Sequence, residues 1–291
     1  MISVRSEGLH GGSHRRRRLC RIRRACEIFH EQLDPSESID SFSLLFAGNQ
    51  LKSQMNTMLK LAAAVSVAAL PITAAEVTGK VSLKGTPPPE KVIAAVKADA
   101  NCGKVAQGEA KTRIYVVGPD GGLANTVVYV KKGLEGKTFP APASKVEIDQ
   151  AGCMYQPYVT AAMIGQTLAI KNSDPFMHNV NVQPKVAGNK GFNIAQATQG
   201  KIDEKSFEKP ELGIRFACNV HPWMIAYVST FENPFFAVSD DKGNFTIKGD
   251  LPDGKYTVEA YHQKGGAVTQ DIEVKGGKAK ADFTIEVKAA Q

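Results

Sequence analysis

The sequence predicts an all-β protein, and three observations support that fold class. Its 291 residues include 26 glycines and 15 prolines, the two residue types that most often mark turns. After residue 75, short segments alternate apolar and polar side chains with the two-residue period of a half-buried strand. Helical periodicity is almost absent from that part of the chain, apart from one stretch around residues 89–99. Many short strands at such spacing are typical of β-sandwiches and β-barrels.

The alternating segments follow one another along the chain with turn signals between them. Pro-Asp-Gly-Gly at residues 119–122 and Pro-Asp-Gly at residues 252–254 are strong turn formers. We therefore expect strands near residues 77–83, 113–117, 126–130, 145–149, 168–171, 180–183, 213–218, 226–231, 244–248, 255–261, 270–274 and 281–287.

Residues 55–75 have the layout of a secretory signal peptide. Lys60 supplies a positive charge, residues 61–70 form a short apolar run, and Pro71 and small residues follow before Glu76. The apolar run is too short for a transmembrane helix, so we expect no stable membrane insertion. The sequence therefore predicts export to the periplasm or to the extracellular space.

The positive charge of the chain is concentrated ahead of this signal. The net charge is +7, but eight of the ten arginines lie between Arg5 and Arg24. Residues 76–291 carry 26 Lys and Arg against 23 Asp and Glu, with both signs interspersed. Such a surface favours solubility, and we expect no nucleic-acid partner. We expect residues 1–54 either to precede a mis-assigned start or to form a leader that is removed on export.

Four residues of metal-binding type lie where predicted strands begin or end. Cys218, His221 and Met224 belong to one loop between two predicted strands, and His178 opens another strand further upstream. Two imidazoles and one thiolate, with a weak axial thioether, form the ligand set of a blue-copper site. The thiolate is a soft ligand that suits copper, and the weak thioether favours Cu(I). Zinc prefers four firm ligands, and a Cys/His nucleophile leaves the second histidine and the methionine unexplained.

This region resembles the cupredoxins, the type 1 copper proteins, and in particular those of the amicyanin and plastocyanin kind. The resemblance rests on the Cys-x2-His-x2-Met loop, with a proline after its histidine, and on the upstream run DPFMHNV at residues 174–180. It covers about residues 145–233, and Met177 and Trp223 depart from the residues usual in the family. It implies a Greek-key β-sandwich that holds one copper ion. The implied ligands are His178, Cys218, His221 and Met224.

The same resemblance implies roles for the surroundings of the copper ion. Asn179 would tie the two ligand loops together, because outer hydrogen bonds orient metal ligands. In the family the loop histidine lies near the surface within an apolar ring, where redox proteins dock as electron donor and acceptor. The residues expected to form this docking ring are Phe176, Met177, Pro222 and Trp223.

We therefore expect the protein to be a single-electron carrier between redox proteins and not an enzyme. Its copper ion would cycle between Cu(II) and Cu(I). Two alternatives stay open at this point. One is a copper-binding or delivery module without electron transfer, and the other is a copper oxidoreductase with an open coordination position.

Cys102 and Cys153 are the other cysteines that follow the signal. Export permits disulfide bonds, and a bond between these two leaves Cys218 as the odd thiol, which suits a metal ligand. The alternative is that Cys102 and Cys153 are free thiols that contribute to a second metal site. His262, at the end of a predicted strand, is expected to have a structural role.

The segments on either side of the copper region resemble a carboxypeptidase regulatory-like, or transthyretin-like, β-sandwich. The resemblance rests on the runs VTGKV and LANTVVYV in front and on FFAVSDDKGNFTI and LPDGKYTV behind. Neither flank has enough strands to form a sandwich by itself. We therefore expect a copper domain at residues 134–233 to be inserted into one discontinuous Ig/transthyretin-like module made of residues 76–133 and 234–291.

Overall fold

The computed structural model describes residues 75–288. The leader 1–54 and the signal peptide 55–75 predicted from the sequence lie outside the described residues, apart from Ala75. Within the described range, no helix is long and apolar enough to cross a membrane. Strands dominate this range, which confirms the all-β prediction, and the helix expected near residues 89–99 is present in a shorter form.

The described residues form two short helices and seventeen strands. The helices are α1 (Ala94–Ala98) and α2 (Cys102–Val105). The strands are β1 (Glu76–Lys84), β2 (Val127–Lys132), β3 (Val146–Ala151), β4 (Met154–Gln156), β5 (Val159–Met163), β6 (Leu168–Asn172), β7 (His178–Val182), β8 (Phe192–Gln196), β9 (Ile202–Lys205), β10 (Glu211–Ala217), β11 (Ile225–Phe231), β12 (Phe236–Val238), β13 (Asn244–Lys248), β14 (Gly254–His262), β15 (Gly266–Val274), β16 (Lys278–Lys280) and β17 (Phe283–Glu286).

Strands β3 to β11 build a sandwich of two sheets, which we call the metal-side sandwich. One sheet has the order β5-β11-β10-β7-β8, and the other has the order β4-β3-β6-β9. Strand β11 runs parallel to β5 and β3 runs parallel to β6, whereas β7 and β10 are antiparallel neighbours. Alternate side chains of both sheets fill one shared core, which includes Ile148, Ile170, Val180, Phe216 and Val228.

The remaining strands pair with one another and form a second sandwich, the flanking sandwich. Strand β1 pairs with β13, β16 and β17, and β2 lies between β12 and β14. Segments far apart in sequence therefore share sheets and a common core, which includes Val77, Leu123, Val258, Ile272 and Phe283. A smaller apolar cluster contains Val127, Val159 and Phe231, with residues from both sandwiches. The division of the chain into separate folding domains stays a prediction.

The strand expected at residues 113–117 is not present, so that expectation is wrong. In this segment only Val117 forms an isolated bridge, to Leu123. Arg113 has a φ of 55°, which ends any extended run at that point. Its guanidinium donates to the carbonyl oxygen of Tyr155 at 3.2 Å and lies over the ring of Tyr158 at 4.3 Å. These contacts hold a backbone conformation that the alternating sequence pattern does not reveal.

His262, the last residue of β14, is buried in the flanking sandwich. Its Nδ1 accepts hydrogen bonds from the N–H groups of Lys264 and Gly265, at 3.3 and 3.0 Å, and its ring stacks on that of Tyr115. An imidazole that accepts at Nδ1 carries its proton on Nε2, so these contacts stabilise the neutral ring. Burial lowers the pKa of His262 to about 4.

The titration of His262 predicts that the protein loses stability as the pH falls from about 6.5 to about 4. The folded pKa lies below the unfolded value, so the unfolded chain binds more protons in this window. The variant His262→Asn removes this titration and keeps an oxygen that can accept the same N–H groups. We expect the free energy of unfolding of the wild type to fall by about 2–4 kcal/mol more than that of the variant. Urea unfolding of the metal-free proteins checks this, and parallel pH profiles would contradict it.

Candidate metal centre

The turn before His178 is shaped by Asn172, the last residue of β6. Its amide nitrogen donates to the carbonyl oxygens of Phe176 and Gln196, at 2.8 and 3.0 Å, and its amide oxygen accepts the N–H of Asp174 at 3.0 Å. Asn172 is fully buried, so these hydrogen bonds are shielded from water. The result is a tight turn that brings Asp174 next to His178 at the start of β7.

The second ligand segment is the loop from Cys218 to Met224, between β10 and β11. The N–H of Cys218 donates to the carbonyl oxygen of Met224 at 3.2 Å, and the N–H of Met224 donates to the carbonyl oxygen of His221 at 2.9 Å. These two hydrogen bonds close the loop on itself. Met224 is fully buried and belongs to the same apolar core as Cys218.

Three side chains converge where β7 begins and β10 ends. Nδ1 of His178 lies 3.0 Å from Nδ1 of His221, and Sγ of Cys218 lies 3.7 Å from the same nitrogen of His221. The three donor atoms lie within 4.8 Å of one another, and His178, Cys218 and His221 are 0%, 3% and 5% exposed. A metal ion about 2.0–2.3 Å from nitrogen and sulfur donors reaches atoms at these separations. The residues present therefore fit a metal ion held by two histidines and one cysteine.

Asp174 determines which nitrogen of His178 faces the centre. Its Oδ2 lies 2.8 Å from Nε2 of His178, so the neutral ring carries its proton on Nε2 and keeps the lone pair of Nδ1 for a metal. The same carboxylate accepts the N–H groups of Gly152 and Cys153, each at 2.8 Å. Burial acts to raise the pKa of Asp174, but these hydrogen bonds outweigh it and hold the pKa below its usual value.

The electrostatics of the centre favour the protonation states that a metal requires. Burial acts to raise the pKa of Cys218, but hydrogen bonds from His178 and from the N–H of Asn179 outweigh it and lower the pKa. Burial lowers the pKa of His221, and the neighbouring His178 lowers it further. Burial also acts to lower the pKa of His178, but hydrogen bonds to Asp174 and Cys218 raise it. The pKa shifts of Cys218 and His221 therefore favour the forms that bind a metal, whereas that of His178 opposes binding, and a metal must displace the proton of His178.

Asn179 connects the two ligand segments. Its amide oxygen accepts the N–H of Asn219 at 3.1 Å, and its own N–H donates to Sγ of Cys218 at 3.4 Å. Its amide nitrogen donates to the carbonyl oxygen of Ile194 in β8, and its carbonyl oxygen accepts the hydroxyl of the buried Tyr155. Asn179 therefore holds the Cys218 loop against β7 and β8.

The four residues expected to ring His221 differ in their exposure. Met177 and Pro222 are exposed, whereas Phe176 and Trp223 are half-buried. The ring centroids of Phe176 and Trp223 lie 6.4 and 5.3 Å from that of His221. His221 itself is buried. The imidazole of His221 thus lies between two half-buried aromatic rings and next to the exposed Pro222. The docking role of these residues stays a prediction.

Cys102 and Cys153 form a disulfide bond, and Cys218 is the free cysteine of the described chain. The two bonded sulfurs and a ring nitrogen of His221 lie within 4.8 Å of one another, so the disulfide borders the metal centre. The indole of Trp223 donates to the carbonyl oxygen of Cys153 at 3.2 Å. Because Cys102 and Cys153 are bonded to each other, the structure does not hold the second metal site of free thiols considered from the sequence.

Two features of the centre are missed by sequence reasoning. The role of Asp174 does not follow from the family-like run that contains it, although its place four residues before His178 is a signal that can be used. The closeness of the disulfide to His221 has no sequence signal, because it depends on how a distant segment folds back over the sandwich.

Replacing Asp174 with asparagine is expected to weaken copper binding by about 10–100-fold, the usual effect of losing a hydrogen-bond partner of a ligating histidine. The amide keeps one acceptor oxygen but loses the negative charge and the second acceptor, so it restrains the imidazole of His178 less firmly. Glu259→Gln is the matched control, because Glu259 is also a buried carboxylate but bonds Tyr129 and Lys131 in the flanking sandwich. A competition titration with a chelator of known copper affinity measures both variants. Equal affinities would contradict the role of Asp174.

No family model matches the chain, and no curated protein matches it. Among solved structures, it is similar to a copper-containing nitrite reductase from Thermus scotoductus SA-01 (22% identity, 33% of this chain and 26% of that chain, TM-score 0.28). It is also similar to a purple cupredoxin from Nitrosopumilus maritimus (23% identity, 30% and 99%, TM-score 0.25). A mutant of amicyanin in its reduced Cu(I) form at pH 4 is a further neighbour (17% identity, 36% and 98%, TM-score 0.28). The chain thus spans about a quarter of the nitrite reductase, and these low TM-scores support no conclusion beyond the likeness itself.

Proposed function

We propose that this protein is an exported carrier of single electrons that holds one type 1 copper ion. The observation that carries the proposal is the convergence of two imidazole nitrogens and one thiol within 4.8 Å at a buried edge of the sandwich. His178, Cys218 and His221 would supply the strong ligands, and Met224 the weak axial thioether. Copper in such a site takes up one electron on passing from Cu(II) to Cu(I) and releases it on reoxidation.

Fast electron exchange requires ligands that hardly move between oxidation states. His178 and Cys218 lie at the paired ends of neighbouring strands, where Asn181 of β7 pairs with Ala217 of β10. The sheet therefore fixes the separation of these two ligands. The hydrogen bond from Asp174 also restrains the imidazole of His178. Both restraints come from the chain's own hydrogen bonds, which supports a role in electron transfer.

The burial of the donors favours a carrier over the two alternatives. A copper oxidoreductase needs an open coordination position that a substrate can reach, but His178, Cys218 and His221 are all buried. A delivery module must pass its metal to the ligands of a partner, and exposed donors serve that purpose better. We therefore propose that the chain performs no substrate chemistry of its own.

Redox proteins of the periplasm or the extracellular space would be the electron donor and acceptor. Export is proposed from the signal-like residues 55–75, and a disulfide bond suits an oxidising compartment. Met177 and Val220, which precede the ligands His178 and His221, are each 46% exposed. Such apolar residues beside the ligands would offer a face for weak, transient docking.

The copper-loaded protein is expected to have an intense visible absorption band from charge transfer between the Cys218 thiolate and Cu(II). The variant Cys218→Ser is expected to lose this band, because a hydroxyl does not replace the soft thiolate. Circular dichroism controls for folding, and the β signal of the variant should match that of the wild type. A wild-type protein saturated with Cu(II) but lacking the band would exclude a type 1 site.

Met224→Gln is expected to lower the Cu(II)/Cu(I) potential, because an amide oxygen is a harder donor than a thioether and favours Cu(II). Met154→Gln is the control, since Met154 belongs to β4 and not to the proposed ligand set. A potentiometric titration followed at the visible band measures the potential of both variants. Wild-type potential in Met224→Gln would argue against Met224 as the axial ligand.

A further inference from the structure

Between β1 and β2 the chain makes an excursion, residues 91–112, that we call the cap loop. Backbone hydrogen bonds close its base: the N–H of Ile93 donates to the carbonyl oxygen of Ala110 at 2.8 Å, and that of Thr112 donates to the carbonyl oxygen of Lys91 at 3.1 Å. The loop carries both α1 and α2. The first and last residues of the loop are therefore paired with each other, and both helices lie between them.

The far part of the cap loop packs into the metal-side sandwich. Val96, which is 1% exposed, and Cys102, which is fully buried, belong to the same apolar core as Cys218 and Met224. Burial of these side chains excludes water from the region that they share. The loop is thus part of the core around the metal centre, although the strands that it connects, β1 and β2, belong to the flanking sandwich.

The Cys102–Cys153 bond attaches the cap loop to the turn between β3 and β4. Gly152 and Cys153 form this turn with φ angles of 61° and 57°, as in a two-residue type I′ hairpin. A cysteine rarely adopts such a backbone, and Asp174 stabilises it by accepting both N–H groups of the turn. The loop passes so close that a Cβ on Gly152 would lie 3.3 Å from the carbonyl oxygen of Val105.

The same disulfide lies against His221, with both sulfurs and a ring nitrogen within 4.8 Å of one another. Asp99 lies between the two helices of the cap loop. Its carboxylate is held in place by the N–H groups of Asn101 and Cys102, at 2.9 and 2.8 Å. His221 is 5% exposed, although the preceding residue, Val220, is 46% exposed.

We propose that the cap loop is a permanent cover of the metal centre and that the Cys102–Cys153 bond positions it over His221. Both cysteines are fully buried, so external thiols do not reach the bond. It is a permanent structural disulfide and not one that is reduced and reformed in regulation. Within the described residues, no carboxylate bonds the ring of His221 as Asp174 bonds that of His178, and packing under the cover restrains it instead. The proposal depends on the proposed function only for the identity of the metal, since the cover is present in the metal-free protein.

The first experiment measures solvent access to His221 in the metal-free protein. Diethylpyrocarbonate modifies accessible neutral imidazoles, and peptide mass spectrometry gives separate rates for His221 and for His262, an internal reference in the flanking sandwich. In the double variant Cys102→Ala/Cys153→Ala, the rate at His221 relative to His262 is expected to rise by about tenfold, because the cap loop opens locally. An unchanged ratio in the folded double variant would overturn the proposal.

A second variant keeps the disulfide and covers the case in which the double variant does not fold. Val96→Ala removes apolar contacts of the cap loop, so the same ratio should rise by a smaller factor of about 2–5. Val228→Ala is the matched control, because Val228 is also buried in the core of the metal-side sandwich but lies on β11 and not on the cap loop. An equal rise in both variants would indicate general loosening and would refute a specific cover.

Copper loading separates this inference from the proposed function. A chelator is expected to extract copper several times faster from the double variant than from the wild type, by about the factor seen for His221 modification. If modification of His221 accelerates but the wild type forms no visible band, the cover stands and the proposed function fails. If the band forms but the modification ratio stays constant, the cover fails and the proposed function stands.

Discussion

The candidate metal centre depends on one buried carboxylate. Asp174 accepts hydrogen bonds from Nε2 of His178 and from the N–H groups of Gly152 and Cys153. A buried charge is strongly unfavourable unless its partners satisfy it, and here three donors do so together. One network therefore joins a candidate ligand, a left-handed turn and the cysteine that anchors the cap loop. The orientation of His178 and the position of the disulfide follow from the same interaction, so neither changes without disturbing the other.

The flanking sandwich contributes to the centre although none of its strands carries a candidate ligand. The cap loop begins and ends between β1 and β2, yet Val96 and Cys102 are buried in the core of the metal-side sandwich. The two sandwiches are linked both by an apolar cluster around Val127 and Phe231 and by the cap loop with its Cys102–Cys153 bond. A spacer module would need neither contact. The arrangement indicates that the flank helps to enclose the centre, which is a more direct role than holding it at a distance from a surface.

The fold class and the spacing of the ligand loop can be predicted from the sequence for physical reasons. Strands such as β1 and β14 have one buried side and one side that faces solvent, so apolar and polar residues alternate along their sequences. Strands β8 and β9 lie at sheet edges with few buried side chains, and pairing with a neighbour defines them instead. The left-handed Arg113 and the role of Asp174 depend on contacts across tens of residues, which no local pattern contains.

An enclosed histidine has consequences for an electron carrier. The donor atoms of the centre lie within 4.8 Å of one another, so the fold itself brings them together. Because the ring of His221 is covered, an electron would enter or leave through the protein around it and not by direct contact of a partner with the imidazole. The exposed Met177 and Val220 directly precede the proposed ligands His178 and His221 in sequence. If the chain carries electrons as proposed, burial of the donors would keep water away from the ligands, and exchange would be limited to partners that fit the apolar surface around Met177 and Val220.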